Sequence, residues 1–191
     1  ISAALKFQRF SSAEARYKPF SRQGVKLALV AGIITLATAI FIPRMTVYFG
    51  TIHCIATITF IIYPFLRYSP AFNLKLGVLI TVLGFIIRDY CKVPFSWLLW
   101  LGFSPQNGQN GGDWYPLMPW FGVALLGVGI GMIYYKNLSS PKLAAKLRNF
   151  VQKKIAFKIL SWFGKRSLII YLLHQPAFIA IYFLLGLSHF R

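Results

Sequence analysis

The residues able to do chemistry are few, and most stand inside long apolar stretches. His174 lies in the run Phe163-Gly-Lys-Arg-Ser-Leu-Ile-Ile-Tyr-Leu-Leu-His-Gln-Pro176. Imidazole serves as base or nucleophile near neutral pH. Tyr171 shares its helical face at i−3, and Gln175 and Pro176 follow it. The proline leaves the carbonyl about four residues back without its helical partner, opening a polar spot. Lys165 and Arg166 flank Ser167, an expected helix N-cap, and cations beside a helix N-terminus suit an anion such as phosphate. The rival reading gives His174 an interhelical hydrogen bond and makes the two cations ordinary flanks of a membrane span.

A second group comprises His53 with Cys54 and Thr57, the pair Arg88 and Asp89, and Asp113 followed by Trp114 and Tyr115. Two of the three acids in the chain, Asp89 and Asp113, belong to it. Together His53, Arg88, Asp89 and Asp113 could form a polar cluster that binds an acceptor. The plainer alternatives are a solvated histidine at an interface, an acid facing the dipole of its own helix, and an aromatic membrane belt. Cys54 and Cys91 could pair or stay free. No Cys/His set has zinc spacing, no phosphate-binding loop or nucleophile elbow is present, and paired carboxylates on one helix are missing.

The elements that must hold these residues follow from composition. Of 191 residues, 57% are hydrophobic and 13% charged, against about a quarter charged in soluble domains. Five apolar stretches, roughly 24–42, 50–66, 74–90, 116–135 and 167–187, approach the length a spanning helix needs, about 20 residues for a hydrocarbon core of about 30 Å. The runs are continuous rather than alternating, so the expected fold class is all-α: a polytopic helical membrane protein, with 1–191 a single integral-membrane domain. Pro94–Phe103, with Trp97 and Trp100, is too short to cross and reads as an outer interfacial or re-entrant helix. Leu143, Leu147, Phe150, Val151 and Ile155 recur at helical spacing with lysines off the stripe, as in a basic amphipathic helix on the cytoplasmic surface. The sequence from Gly127 to Gly131 contains G-x-x-x-G, a helix-packing pattern.

The net charge of +18 is unevenly placed. Seventeen of the 21 Lys and Arg fall in segments that five spans put on one side. The positive-inside rule then sets residue 1 in the cytoplasm and residue 191 outside. The charge is therefore read as topology and contact with anionic lipid, not nucleic acid. His174 lies seven residues past Ser167, roughly 10 Å into the membrane from the cytoplasmic side. His53, Arg88, Asp89 and Asp113 fall toward the other face.

Three segments carry a family likeness: Tyr48-Phe-Gly-Thr-Ile-His-Cys-Ile-Ala56, Asp113-Trp-Tyr-Pro-Leu-Met-Pro-Trp-Phe-Gly122, and Phe163–Pro176. Their order and spacing resemble the catalytic-domain family of heparan-α-glucosaminide N-acetyltransferase, most closely its short bacterial members. The resemblance implies a transmembrane acyltransferase that moves an acetyl group from cytoplasmic acetyl-CoA to an extracytoplasmic sugar or envelope acceptor. It implies a place in the bacterial inner membrane, glycan modification, and no metal. On that reading His174, His53 and Asp113 are catalytic. Lys165, Arg166, Gln175 and Tyr171 hold the CoA, and Arg88, Asp89 and Trp114 meet the acceptor. Family members have further spans upstream, one bearing a histidine implicated in catalysis. The chain starts at Ile1, so an upstream part is expected. A homo-oligomer is compatible with this reading. The contrasting functions are a carrier or flippase whose pathway the same polar groups would line, and an assembly subunit whose histidines are merely satisfied in helix contacts.

Overall fold

The computed structural model describes residues 3, 13–94, 96–106, 112–138 and 155–174. Two compact units divide the chain, Ile1–Asn137 and Leu138–Arg191. The first contains α1 (Ala13–Phe41), α2 (Thr51–Ile61), α3 (Pro70–Tyr90) and α4 (Leu117–Leu138). The second contains α5 (Ile155–Lys165).

Three helical segments among the described residues are long and apolar enough to cross a membrane: Tyr17–Phe41, Pro70–Tyr90 and Leu117–Tyr134. Their outward faces carry apolar side chains such as Ile33, Leu36, Ile40 and Val82, as lipid contact requires. Of the five expected spans, 24–42, 74–90 and 116–135 correspond to these three. The stretch 50–66 holds only the 11-residue helix α2, roughly 16 Å long and so about half of a hydrocarbon core. Pro64 stops it, because proline has no N–H for the helical ladder, and a 3-10 turn follows at Pro64–Arg67. Of the stretch 167–187, residues 167–174 are helical and the rest lies outside the described residues. The expected basic helix around 143–155 also falls largely outside them.

The helices of the first unit alternate in direction. At one end, here called proximal, Phe20 of α1 meets Tyr63 just past α2, ring centroids 5.7 Å apart. There Asn73 of α3 donates to the Phe65 carbonyl at 3.0 Å and to Met132 Sδ of α4 at 3.7 Å. Ser69 caps α3 by accepting from Phe72 N–H. Phe20, Ile62, Leu66, Phe121, Leu125 and Val128 are among the buried core residues.

Helices α3 and α4 pack backbone against backbone. A Cβ on Gly77 would lie 2.9 Å from Leu126 N, and one on Gly84 2.7 Å from Pro119 Cα. From the other side, a Cβ on Gly122 would lie 2.6 Å from Thr81 N, and one on Gly129 2.7 Å from Leu74 Cγ. The glycines pair in antiparallel register and repeat after seven residues, two turns of helix. The stripe of α4 that meets α3 is thus Gly122 with Gly129.

The distal end gathers the C-terminus of α1, the N-terminus of α2, the C-terminus of α3 and the entry to α4. Pro94–Phe103 is not an interfacial helix. It contains one 3-10 turn, Ser96–Leu98, and turns that end at Gly102, whose φ of +132° suits glycine. Pro94 and Gly102 leave too few residues between them for a stable helix. The backbone is laced to the following segment instead: Leu117 N donates to Trp100 O at 2.7 Å and Met118 N to Leu101 O at 3.1 Å. A two-residue parallel ladder, Lys92–Val93 (β1) with Ser104–Pro105 (β2), closes the loop.

Candidate functional site at the distal end

The start of α2 is built by residues from three parts of the chain. Gly50 precedes the helix, and its N–H and those of the first turn need acceptors. Asp113 supplies one from 62 residues away: Thr51 N–H donates to Oδ2 at 3.0 Å and the Thr51 hydroxyl to Oδ1 at 3.3 Å. A carboxylate here also faces the positive end of the helix dipole. Asp113 therefore caps α2, whereas the sequence suggested the start of its own following helix. The reason is the extended segment ahead of α4, which Tyr115 N–H ties to the Phe49 carbonyl at 3.1 Å. Only glycine fits at position 50, since a Cβ there would sit 2.5 Å from Asp113 Oδ2 and 2.8 Å from Val47 Cγ1.

His53 is the third residue of α2. Its Nδ1 accepts from Gly50 N–H at 3.3 Å. Its Nε2 lies 3.0 Å from Thr35 Oγ1. The Thr35 hydroxyl donates its one proton to the Val47 carbonyl at 2.8 Å, so toward the ring it can only accept. Gly50 N–H can only donate. Both constraints select one form, the neutral imidazole protonated at Nε2. His53 and Asp113 thus serve one helix end, and the sequence pattern did not include Thr35. No periodicity marks Thr35, because it is one threonine in an apolar helix and its partner lies 18 residues on. Thr57, which the sequence places on the His53 face, has no such role.

Arg88 and Asp89 sit in the last turn of α3 and pair with each other, Nε to Oδ1 at 2.8 Å, both side chains at least a third exposed. Arg88 also lies over the Phe85 ring at 4.9 Å, and its carbonyl accepts from the Ser104 hydroxyl. Trp114 Nε1 donates to the Leu99 carbonyl at 3.0 Å, so this ring pins the 96–102 turns. Cys54 is buried, Cys91 is exposed and both are free thiols.

The second unit holds the other predicted residues. Helix α5 ends at Lys165, and Arg166 forms a turn before the helical residues 167–174. Arg166 N–H donates to the Phe163 carbonyl, and Ile170 N–H to the Arg166 carbonyl. Ser167 therefore does not open a helix after a loop, as the sequence suggests, because helix already precedes it. The Arg166 guanidinium lies 4.2 Å from the Trp162 ring centroid, and Lys165 and Arg166 are exposed. His174 Nδ1 is hydrogen-bonded to the Tyr171 carbonyl. A carbonyl only accepts, so in this contact Nδ1 is the donor. The Tyr171 and His174 rings are 5.2 Å apart. Gln175 lies outside the described residues.

No curated protein and no solved structure matches this chain. Residues 1–176 match the family described as heparan-alpha-glucosaminide N-acetyltransferase, catalytic, and the chain belongs to that family.

Proposed function

We propose that this member of the family is an integral-membrane acetyltransferase that takes its acetyl group from acetyl-CoA on the cytoplasmic side of a bacterial inner membrane. The acceptor is an amine or hydroxyl of an extracytoplasmic sugar. The family match, which spans all three motif segments, is the observation that carries this reading. The overall transfer forms a bond between the acceptor nitrogen or oxygen and the acetyl carbonyl carbon. It breaks the thioester C–S bond, and the acceptor's proton ends on the CoA sulfur. A histidine that accepts the first proton and returns it to the thiolate makes both halves easier.

The chemistry of the two histidines supports such a role. Each donates to an oxygen acceptor, His174 from Nδ1 and His53 from Nε2. His53 also keeps Nδ1, which now accepts from Gly50 N–H, as a nitrogen that can receive a proton. In this reading His174 acts near the thioester, with Tyr171 and Gln175 beside it. Lys165 and Arg166 attract the CoA phosphates, which the charge and planar fork of an arginine suit. His53 acts as base on the acceptor side. Asp113 builds the helix end on which His53 stands, and Arg88, Asp89 and Trp114 present polar and aromatic surface to the sugar.

The test uses membranes carrying the chain with any native upstream region. Acetyl-labelled CoA is supplied on the cytoplasmic face with glucosamine as acceptor, and label is followed into the sugar. Transfer that disappears in His174→Ala, with protein level unchanged, is the expected result. Acceptor movement across the membrane without loss of acetyl-CoA would instead mark a carrier.

A further inference from the structure

Several helix threonines bond within their own helix. Thr38, Thr59 and Thr81 each donate to the carbonyl four residues earlier, Ile34, Ile55 and Gly77, at 2.7–2.8 Å. This local bond is the ordinary outcome for threonine in an apolar helix. Thr35 leaves its own helix and donates to Val47, 12 residues on. Thr38 completes that grip by accepting from Val47 N–H at 3.1 Å. The Val47 peptide groups are held on both sides, and Val47 is buried. The Thr35 hydroxyl therefore cannot rotate its proton away without abandoning a buried carbonyl. Its lone pairs are left facing His53 Nε2 at 3.0 Å.

We propose that Thr35 is a positioning residue for the transfer reaction: with its proton committed to Val47, it fixes His53 as the Nε2-protonated tautomer and reserves Nδ1 as the proton acceptor. This rests on the reading of His53 as the acceptor-side base. The Gly50 N–H contact to Nδ1, at 3.3 Å, is the longest bond in the group. It is the one an acceptor hydroxyl or amine would replace. On proton transfer from the acceptor to Nδ1, the imidazole becomes imidazolium, and its Nε2–H still has Thr35 Oγ1 to bond. The same threonine thus serves both protonation states without moving.

Two substitutions separate position from presence. Thr35→Ser keeps the hydroxyl, and Thr35→Val keeps the shape and removes it. The ring nitrogens of His53 are read by solid-state nitrogen NMR on the full chain in bilayers with labelled histidine. His53→Ala and His174→Ala spectra assign the signals. The expected wild-type pattern is a protonated Nε2 and an unprotonated Nδ1, retained in Thr35→Ser and replaced by a tautomer mixture in Thr35→Val. With glucosamine and acetyl-CoA as probes, Thr35→Val is expected to lower kcat about tenfold, the rate equivalent of one neutral hydrogen bond. The KM for acetyl-CoA should stay constant, and Thr35→Ser should restore kcat. Wild-type His53 protonated at Nδ1, or a pure Nε2–H signal in Thr35→Val, overturns the proposal. The wild-type spectrum decides even where Thr35→Val fails to fold. A tautomer shift in Thr35→Val with transfer unchanged in His53→Ala would leave the positioning intact and refute the role of His53 as base.

Discussion

Gly50→Ala is expected to damage this protein through an acid 63 residues away. The new methyl would occupy the place of the Asp113 carboxylate, 2.5 Å from Oδ2 and 3.0 Å from Cγ. Backbone geometry is not the obstacle, because Gly50 has φ −97° and ψ −169°, a conformation open to alanine. The carboxylate must withdraw, and the start of α2 loses its cap. Replacing a capping side chain costs about 1 kcal/mol, and a hydrogen bond to a charged group contributes about 1.5–3 kcal/mol. These overlap, since both describe the bond from Thr51 N–H at 3.0 Å, so the expected loss is about 2 kcal/mol. Asp113→Ala removes the same bond from the other side and should cost about the same. The informative variant is the double one. If both single changes act through one cap, Gly50→Ala with Asp113→Ala costs about 2 kcal/mol rather than about 4. The assay is reversible unfolding of the full chain in mixed micelles, followed by helical signal against the mole fraction of denaturing detergent. Additive losses, or a Gly50→Ala protein as stable as the parent, would refute the shared cap.

Other substitutions test the remaining features. Gly122→Ala should destabilise the α3–α4 pair by about 1–3 kcal/mol, because rigid backbone at Thr81 N and Gly77 O lies 2.6 and 2.7 Å from the added carbon. Gly32, with nothing within 4 Å of a Cβ, should gain roughly 0.5–1 kcal/mol as alanine; the same unfolding assay reads both. Asn73 is fully buried and its Oδ1 has no hydrogen-bond partner among the described residues, while Nδ2 satisfies the Phe65 carbonyl. Asn73→Ala should therefore cost about 1–3 kcal/mol through the orphaned carbonyl rather than through a lost pair. Exposed Cys91 should react with a membrane-impermeant maleimide added to intact cells, and buried Cys54 should not. Labelling of Cys91 only after the membrane is opened would reverse the proposed orientation.

What could be read from the sequence divides along a physical line. Composition and run length identify the apolar helices, because lipid constrains each segment by itself. Helix α3, expected near 74–90, runs Pro70–Tyr90, its start set by the Ser69 cap and Pro70. Length fails for α2, where Pro64 matters more than mean hydropathy. Side-chain partners were less legible still. Asp113 has two acceptor oxygens and any nearby helix start would use them; that the start is α2 depends on the path of 112–118. Arg88 and Asp89, adjacent in sequence, do pair. Thr35 carried no signal, because its part depends on Val47 and His53 arriving from the next turn and the next helix. The glycine stripe at Gly122 and Gly129 carries no familiar spacing in the sequence, and only the facing helix tells which glycines it meets.

The distal end joins these levels. The α3–α4 pair has no room for even one carbon at four glycines, so its geometry is stiff, and it fixes where the 112–118 segment begins its approach to α2. That segment delivers Asp113 to the cap and, through Tyr115 N–H, holds Phe49, which stacks near His53 at 5.8 Å. From the other side α1 holds Val47 through Thr35 and Thr38. The loop between α1 and α2 is consequently gripped by both neighbours within a few residues of His53. A base must keep one nitrogen unprotonated while its ring stays within hydrogen-bond reach of a substrate, and a histidine on a loose turn satisfies neither need. Here a short helix that cannot cross the membrane by its own length is anchored at its first turn by three separate segments. On the proposed reading, the distal end holds His53 in one tautomer and one place, and the 3.3 Å bond at Nδ1 is the one that an incoming group exchanges.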